Sequence, residues 1–104
     1  MHSLFNPETV AVVGASDNPN KLGYHVMKSL VNGGFKGTII PVNPGADAIL
    51  GLKACPSLVA SSIPIDLAIV VVPSKWVPSV FRECASVKVK GIVLITAGFK
   101  EIDD

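Results

Sequence analysis

The stretch that decides the fold is Val12-Val13-Gly14-Ala15-Ser16-Asp17-Asn18-Pro19-Asn20-Lys21-Leu22-Gly23. The residues leading into it, Thr9 to Val13, are β-branched and apolar without alternation, the pattern of a strand covered on both faces. Gly14 stops that strand and a polar turn follows. Asn18-Pro19 fits an N-cap and first helical position, and Asn20 offers a later cap, so the sequence leaves the helix start open between them. Beyond it Leu22, Val26 and Leu30, with Met27 beside them, mark one apolar helix stripe that ends at Gly33-Gly34.

Working outward, the same alternation of strand and helix recurs. Gly37 to Val42 reads as a second strand, with Pro41 expected to break its ladder near the end, and Asn43-Pro44-Gly45 reads as a turn. Ile49 to Ala54 is a weak extended piece, and Pro56 to Pro64 is a loop or a single helical turn. Asp66 to Val72 is uniformly apolar after its first residue and is expected to be a central strand. Val77, Val80, Phe81, Cys84 and Ala85 then repeat at helical spacing, with Pro78 tolerable in the first turn. Ile92 to Ile95 is a last strand, expected to be buried. This order predicts one α/β domain over residues 1–104, an open parallel sheet with helices on both faces.

In such sheets ligands bind beyond the carboxyl ends of the strands. The turns there are Gly14-Ala15-Ser16, Val42-Asn43-Pro44, Val72-Pro73-Ser74 and Ile95-Thr96-Ala97-Gly98. A strand, a glycine and a helix N-terminus form an anion site, because unpaired N–H groups and the positive end of the helix dipole face the turn. The dinucleotide fingerprint GxGxxG is only half present, since Ser16 and Pro19 stand at its second and third glycine positions. Val42-Asn43-Pro44 also replaces the acid that would take a nicotinamide-nucleotide ribose. A phosphate-loop GKS or GKT is absent.

Composition narrows the classes further. Apolar residues make up 49% of the 104 residues and charged residues 16%, with a net charge of +1. That charge gives no field for nucleic acid. Cys55 and Cys84 have no metal or disulfide spacing and read as buried thiols in a reducing compartment. No apolar run is long enough to span a bilayer and the N-terminus lacks a signal-peptide pattern, so the chain is expected to be cytoplasmic. Trp76 is expected to pack at the start of the second helix, His25 to lie on the surface of the first, and Asp66 to open its strand at a turn.

The motifs Val13-Gly14-Ala15-Ser16 with Lys21-Leu22-Gly23, Gly34-Phe35-Lys36-Gly37, Pro41-Val42-Asn43-Pro44, Ile49-Leu50-Gly51, Asp66-Leu67-Ala68, Val72-Pro73 and Ala97-Gly98-Phe99-Lys100-Glu101 span nearly the whole chain. In this order they resemble the N-terminal CoA-binding domain of NDP-forming acyl-CoA synthetases, the group of ADP-forming acetyl-CoA synthetases related to the succinyl-CoA synthetase alpha subunit. The resemblance implies a Rossmann-like fold and coenzyme A as the ligand. It places Gly14, Ala15, Ser16, Asp17 and Lys21 at the CoA phosphates and Val42, Asn43 and Pro44 at the adenine or ribose. Val72 and Pro73 would wall the pantetheine arm, and Thr96, Ala97 and Gly98 would sit nearest the thiol.

Two departures stand out. Gly45-Ala46-Asp47 follows where many relatives carry a basic residue, leaving the 3′-phosphate without that cation, and Ala97 stands where the succinyl enzyme has an acid. The resemblance also implies partners, since the phosphohistidine and ATP-grasp domains of the family lie outside this sequence and neither His2 nor His25 matches the relay histidine. The chain alone is therefore expected not to be catalytic. A CoA- or nucleotide-sensing module, as in acetyltransferase fusions, and an NAD-binding domain are the alternatives.

Overall fold

The structure is a computed structural model and describes residues 7–95. Strands β1 (Thr9–Val13), β2 (Thr38–Val42), β5 (Leu67–Val70) and β6 (Gly91–Leu94) form one parallel sheet in the order β2-β1-β5-β6. Helix α1 (Leu22–Asn32) carries the chain from β1 to β2, and α2 (Val77–Ser86) carries it from β5 to β6 in the opposite direction. Right-handed crossovers running in opposite directions put the two helices on opposite faces. Between β2 and β5 lie a small antiparallel hairpin, β3 (Ala48–Ile49) and β4 (Leu52–Lys53), and a 3-10 turn at Leu58–Ala60.

Each face has its own core, which is why β1 shows no alternation in sequence. Val12, Ala15 and Met27 pack with Ile49 and Ala54 on the α1 side. Ala11, Val13, Ala68 and Val70 pack with Leu58, Val80 and Cys84 on the α2 side. The apolar stripe on α1 is narrower than its spacing suggests: Met27 is fully buried, while Leu22, Val26 and Leu30 are half-buried. They flank an apolar groove with Ile69 at its base. Among the described residues no helix is long and apolar enough to cross a membrane.

Several expectations need correction. Helix α1 starts at Leu22, not at Asn18-Pro19 or Asn20, because the side chains of Ser16 and Asn18 bond within the preceding turn: Ser16 Oγ accepts the N–H of Asn18 and Asn18 Oδ1 accepts that of Asn20, each at 2.9 Å. The β2 ladder does not break at Pro41, which pairs in register with Val12. The carbonyl of Pro41 accepts the N–H of Cys55 at 2.8 Å, so its ring nitrogen also points away from β1, where no ladder bond is lost. The Ile49–Ala54 piece is a true hairpin: Leu50 (φ 50°) and Gly51 (φ 80°) occupy the left-handed region, the geometry of a tight two-residue turn.

The last strand is not buried. Ile92, Val93 and Leu94 are 40%, 43% and 41% exposed, because β6 is the edge of the sheet and no described element covers its faces fully. Trp76 lies in the 3-10 turn Ser74–Trp76 just before α2 and is 53% exposed, with the Lys75 ammonium 5.6 Å from its ring centroid. Phe81, on the expected α2 stripe, is also exposed, and Val80 and Cys84 carry the packing. Cys84 is buried as expected, whereas Cys55 is only half-buried.

Candidate functional site

The site grows from Gly14. It leaves β1 with φ 99°, a conformation that costs glycine little and other residues more. A Cβ there would lie 2.2 Å from the Val71 carbonyl oxygen and 3.2 Å from Val72 Cγ1, so the turn presses directly on the end of β5. That is the switch point of the sheet, where the chain order diverges between β1 and β5. The N–H of Gly14 donates to the Val42 carbonyl at 3.1 Å, tying the same turn to the end of β2.

Gly23 fixes the approach of α1. A Cβ on it would lie 1.9 Å from the Gly14 carbonyl oxygen, so the first turn of the helix sits on the backbone of the strand end. This is the job of the third glycine in a dinucleotide fingerprint, close helix–strand packing, done here by a glycine that comes later in the sequence. A motif search at fixed spacing therefore sees half a fingerprint where the fold has both glycine contacts. Gly23 is the residue that reasoning from site chemistry alone passed over; its place in Lys21-Leu22-Gly23 was the available signal.

The polar groups of the turn divide into occupied and free. Among the described residues none accepts the N–H groups of Ala15, Ser16 or Asp17, and α1 has no side-chain cap. Ser16 Oγ accepts the Asn18 N–H, which leaves its own O–H available to donate. Asn43 is bound on both sides: Nδ2 donates to the Ala15 carbonyl at 2.8 Å and Oδ1 accepts the Gly45 N–H at 2.7 Å. Asp17 Oδ1 accepts the N–H of Leu50 at 3.0 Å. Lys21 stands at the N-cap position, exposed, at the mouth of the turn.

The remaining expected site residues fall as follows. Val42 and Ala15 turn their side chains into the two cores, so only their backbones face the edge. Pro44 and Pro73 are exposed on turns flanking Gly14, and Val72 is half-buried beside it. The structure thus gathers Gly14 to Asp17, Lys21, Val42 to Pro44 and Val72–Pro73 at one edge. Thr96, Ala97 and Gly98 lie outside the described residues.

Two other polar positions lie away from this edge. Asp66 sits at the opposite, amino end of the sheet, where its Oδ2 accepts the N–H groups of Glu8 (2.9 Å) and Thr9 (3.1 Å) and its Oδ1 lies 3.5 Å from the Lys90 ammonium. Those two N–H bonds, with a smaller contribution from Lys90, hold its carboxyl below the usual carboxylate range. His25 is exposed, with Nε2 2.8 Å from the Pro19 carbonyl.

A family profile described as a CoA binding domain matches residues 8–102. The chain belongs to the CoA-binding domain family. It is 46% identical over 101 residues to acetate–CoA ligase [ADP-forming] II of Archaeoglobus fulgidus, covering 97% of this chain and 15% of that protein. It is 42% identical to the alpha subunit of acetate–CoA ligase [ADP-forming] I of Pyrococcus furiosus, covering 100% of this chain and 23% of the subunit. Acetyl-coenzyme A synthetase 1 from Ca. Korarchaeum cryptofilum, solved with phosphate and ADP, superposes with a TM-score of 0.88 at 43% identity, covering 93% of this chain and 21% of that one. This CoA-binding domain therefore spans less than a quarter of the length of each of these relatives. Its Rossmann-like sheet and its kinship with ADP-forming acyl-CoA synthetases agree with the reading of the sequence motifs.

Proposed function

We propose that this CoA-binding domain, as a single unit over residues 1–104, holds coenzyme A for an ADP-forming acyl-CoA synthetase, in which acyl-CoA, ADP and phosphate are interconverted with carboxylic acid, CoA and ATP. The observation that carries the reading is the turn Gly14–Asp17, with N–H groups of Ala15, Ser16 and Asp17 that no described residue accepts, set against an uncapped helix N-terminus. Oriented N–H groups and the helix dipole favour a diphosphate there. The Ser16 hydroxyl adds a donor and Lys21 a charge-assisted one. Asn43 and Pro44 border the adenine or ribose, Val72 and Pro73 wall the pantetheine arm, and Thr96, Ala97 and Gly98 lie nearest the thiol.

The domain supplies no relay histidine of its own. It positions CoA, and the acyl and phosphoryl steps belong to phosphohistidine and ATP-grasp partners in the cytoplasm. Calorimetric titration of the chain with CoA, dephospho-CoA and NAD tests the reading. CoA is expected to bind and NAD not to; the reverse result rejects it. Equal affinity for CoA and dephospho-CoA would mean that the 3′-phosphate is not gripped, as the Gly45-Ala46-Asp47 sequence suggests. Lys21→Ala is expected to weaken CoA by roughly 1–3 kcal/mol if the ammonium meets a phosphate.

A further inference from the structure

Asp17 poses an electrostatic problem for this site. A carboxylate beside free N–H groups and a helix N-terminus competes with, and repels, the anion the turn is suited to hold. Its geometry gives it another task. Residues 43–55 form a closed lobe: the Asn43 N–H donates to the Cys55 carbonyl at the base (2.9 Å), the Ala54 N–H donates to the Asp47 carbonyl (2.9 Å), and Leu50-Gly51 is the tip. The lobe is attached to the phosphate turn at two places. At its base Asn43 Nδ2 bonds the Ala15 carbonyl; at its tip the Leu50 N–H bonds Asp17 Oδ1. Ile49, fully buried beside Val12 and Ala15, anchors the side of the hairpin that faces the core.

We propose that Asp17 is a positioning residue: its carboxylate pins the tip of the 43–55 lobe to the phosphate turn, so that the diphosphate-bearing ligand meets a crevice already formed. The inference rests on the CoA reading above. What the role requires is an acceptor oxygen at Leu50, and the negative charge is a cost borne with it. A neutral amide in the same place keeps the acceptor and removes the repulsion. The affinity order expected for CoA is therefore Asp17→Asn equal to or tighter than wild type, and wild type tighter than Asp17→Ala.

Calorimetry of the wild-type chain and the two variants with CoA tests this, with thermal melts and amide exchange at Leu50 measured on the same samples. Asp17→Ala is expected to bind CoA roughly three- to tenfold more weakly, the range of one ordinary net hydrogen bond, because solvent at this exposed position screens the carboxylate charge. Its melting temperature is expected to fall by no more than a few degrees, because Asp17 is exposed and outside both cores and only this one bond is lost. Leu50 exchange is expected to quicken in Asp17→Ala and not in Asp17→Asn. If wild type binds CoA and the two variants shift together, or Asp17→Ala binds as well as wild type, the positioning role is wrong and the CoA reading stands. If wild type does not bind CoA, both are overturned.

Discussion

Replacing Gly23 with Ala sets two physical effects against each other. Inside an exposed helix the change is favourable by about 1 kcal/mol, since Ala has the higher helix propensity. Here the added Cβ would lie 1.9 Å from the Gly14 carbonyl oxygen and 2.9 Å from its carbon. Ordinary contact begins near 3.4 Å, so α1 or the turn has to move by 1.5 Å, the difference of 3.4 and 1.9. Both neighbours are backbone, and no rotamer change can absorb the strain. Overpacking of this kind, backbone shifts included, costs about 1–3 kcal/mol and occasionally more. We expect a net loss of about 0–2 kcal/mol after the propensity gain, which for a domain of this size lowers the melting temperature by up to roughly 15 °C. CoA affinity is expected to fall at least tenfold, because the helix N-terminus retreats from the anion. Differential scanning calorimetry with CoA titration reads both. A variant that melts higher than wild type and binds CoA equally well would refute the packing argument and the place of α1 in the site.

Other outcomes follow from the same contacts. Asn43→Asp puts a carboxylate oxygen where Nδ2 now donates to the Ala15 carbonyl, so two acceptors face each other beside the anion turn; CoA binding is expected to weaken by at least tenfold in calorimetry while circular dichroism stays native. Asp66 has a depressed carboxyl in the folded chain, so its stabilisation is complete above the unfolded value near pH 4 and is lost as pH falls through the lower folded value; Asp66→Asn is expected to flatten the acid limb of a stability–pH curve measured by urea melts. Burial pushes the Cys84 thiol up, with Glu83 adding to the shift, so a thiol reagent is expected to modify the half-buried Cys55 first and Cys84 only on unfolding, readable by mass spectrometry of the labelled peptides.

The sheet was legible because its signal is physical and local. Uniform apolarity in Thr9–Val13 and Leu67–Val70 marks both as central strands, with Ala68 and Val70 buried on one face of the second and Leu67 and Ile69 half-buried on the other. The start of α1 was not legible, since Ser16, Asn18 and Asn20 are equally good caps and turn residues, and only their bonds in three dimensions show that they close a turn. Pro41 misled for a related reason: whether a proline breaks a ladder depends on which side its nitrogen faces, and that is set by the neighbouring strand. The edge position of β6 was hidden because Ile92, Val93 and Leu94 look the same in sequence whether or not something covers them. At the site, residue types pointed to turns that the fold gathers at one edge of the sheet. They did not separate the groups that can meet a ligand, Ser16 and Lys21, from those whose side chains are already engaged, Asp17 and Asn43.

Among the described residues nothing pairs with the outer edge of β6, and this has a practical consequence for the solution behaviour of the chain. An exposed parallel edge with apolar side chains on both faces, next to the groove over Ile69, is a template for self-pairing. At the high concentrations that calorimetry demands, pairs formed this way would dissociate on dilution with a heat of their own and distort a binding isotherm. Val93→Lys on this strand would act as a gatekeeper against it. Colloidal behaviour is then set at one border of the sheet, with β5 standing between that border and the turn at Gly14.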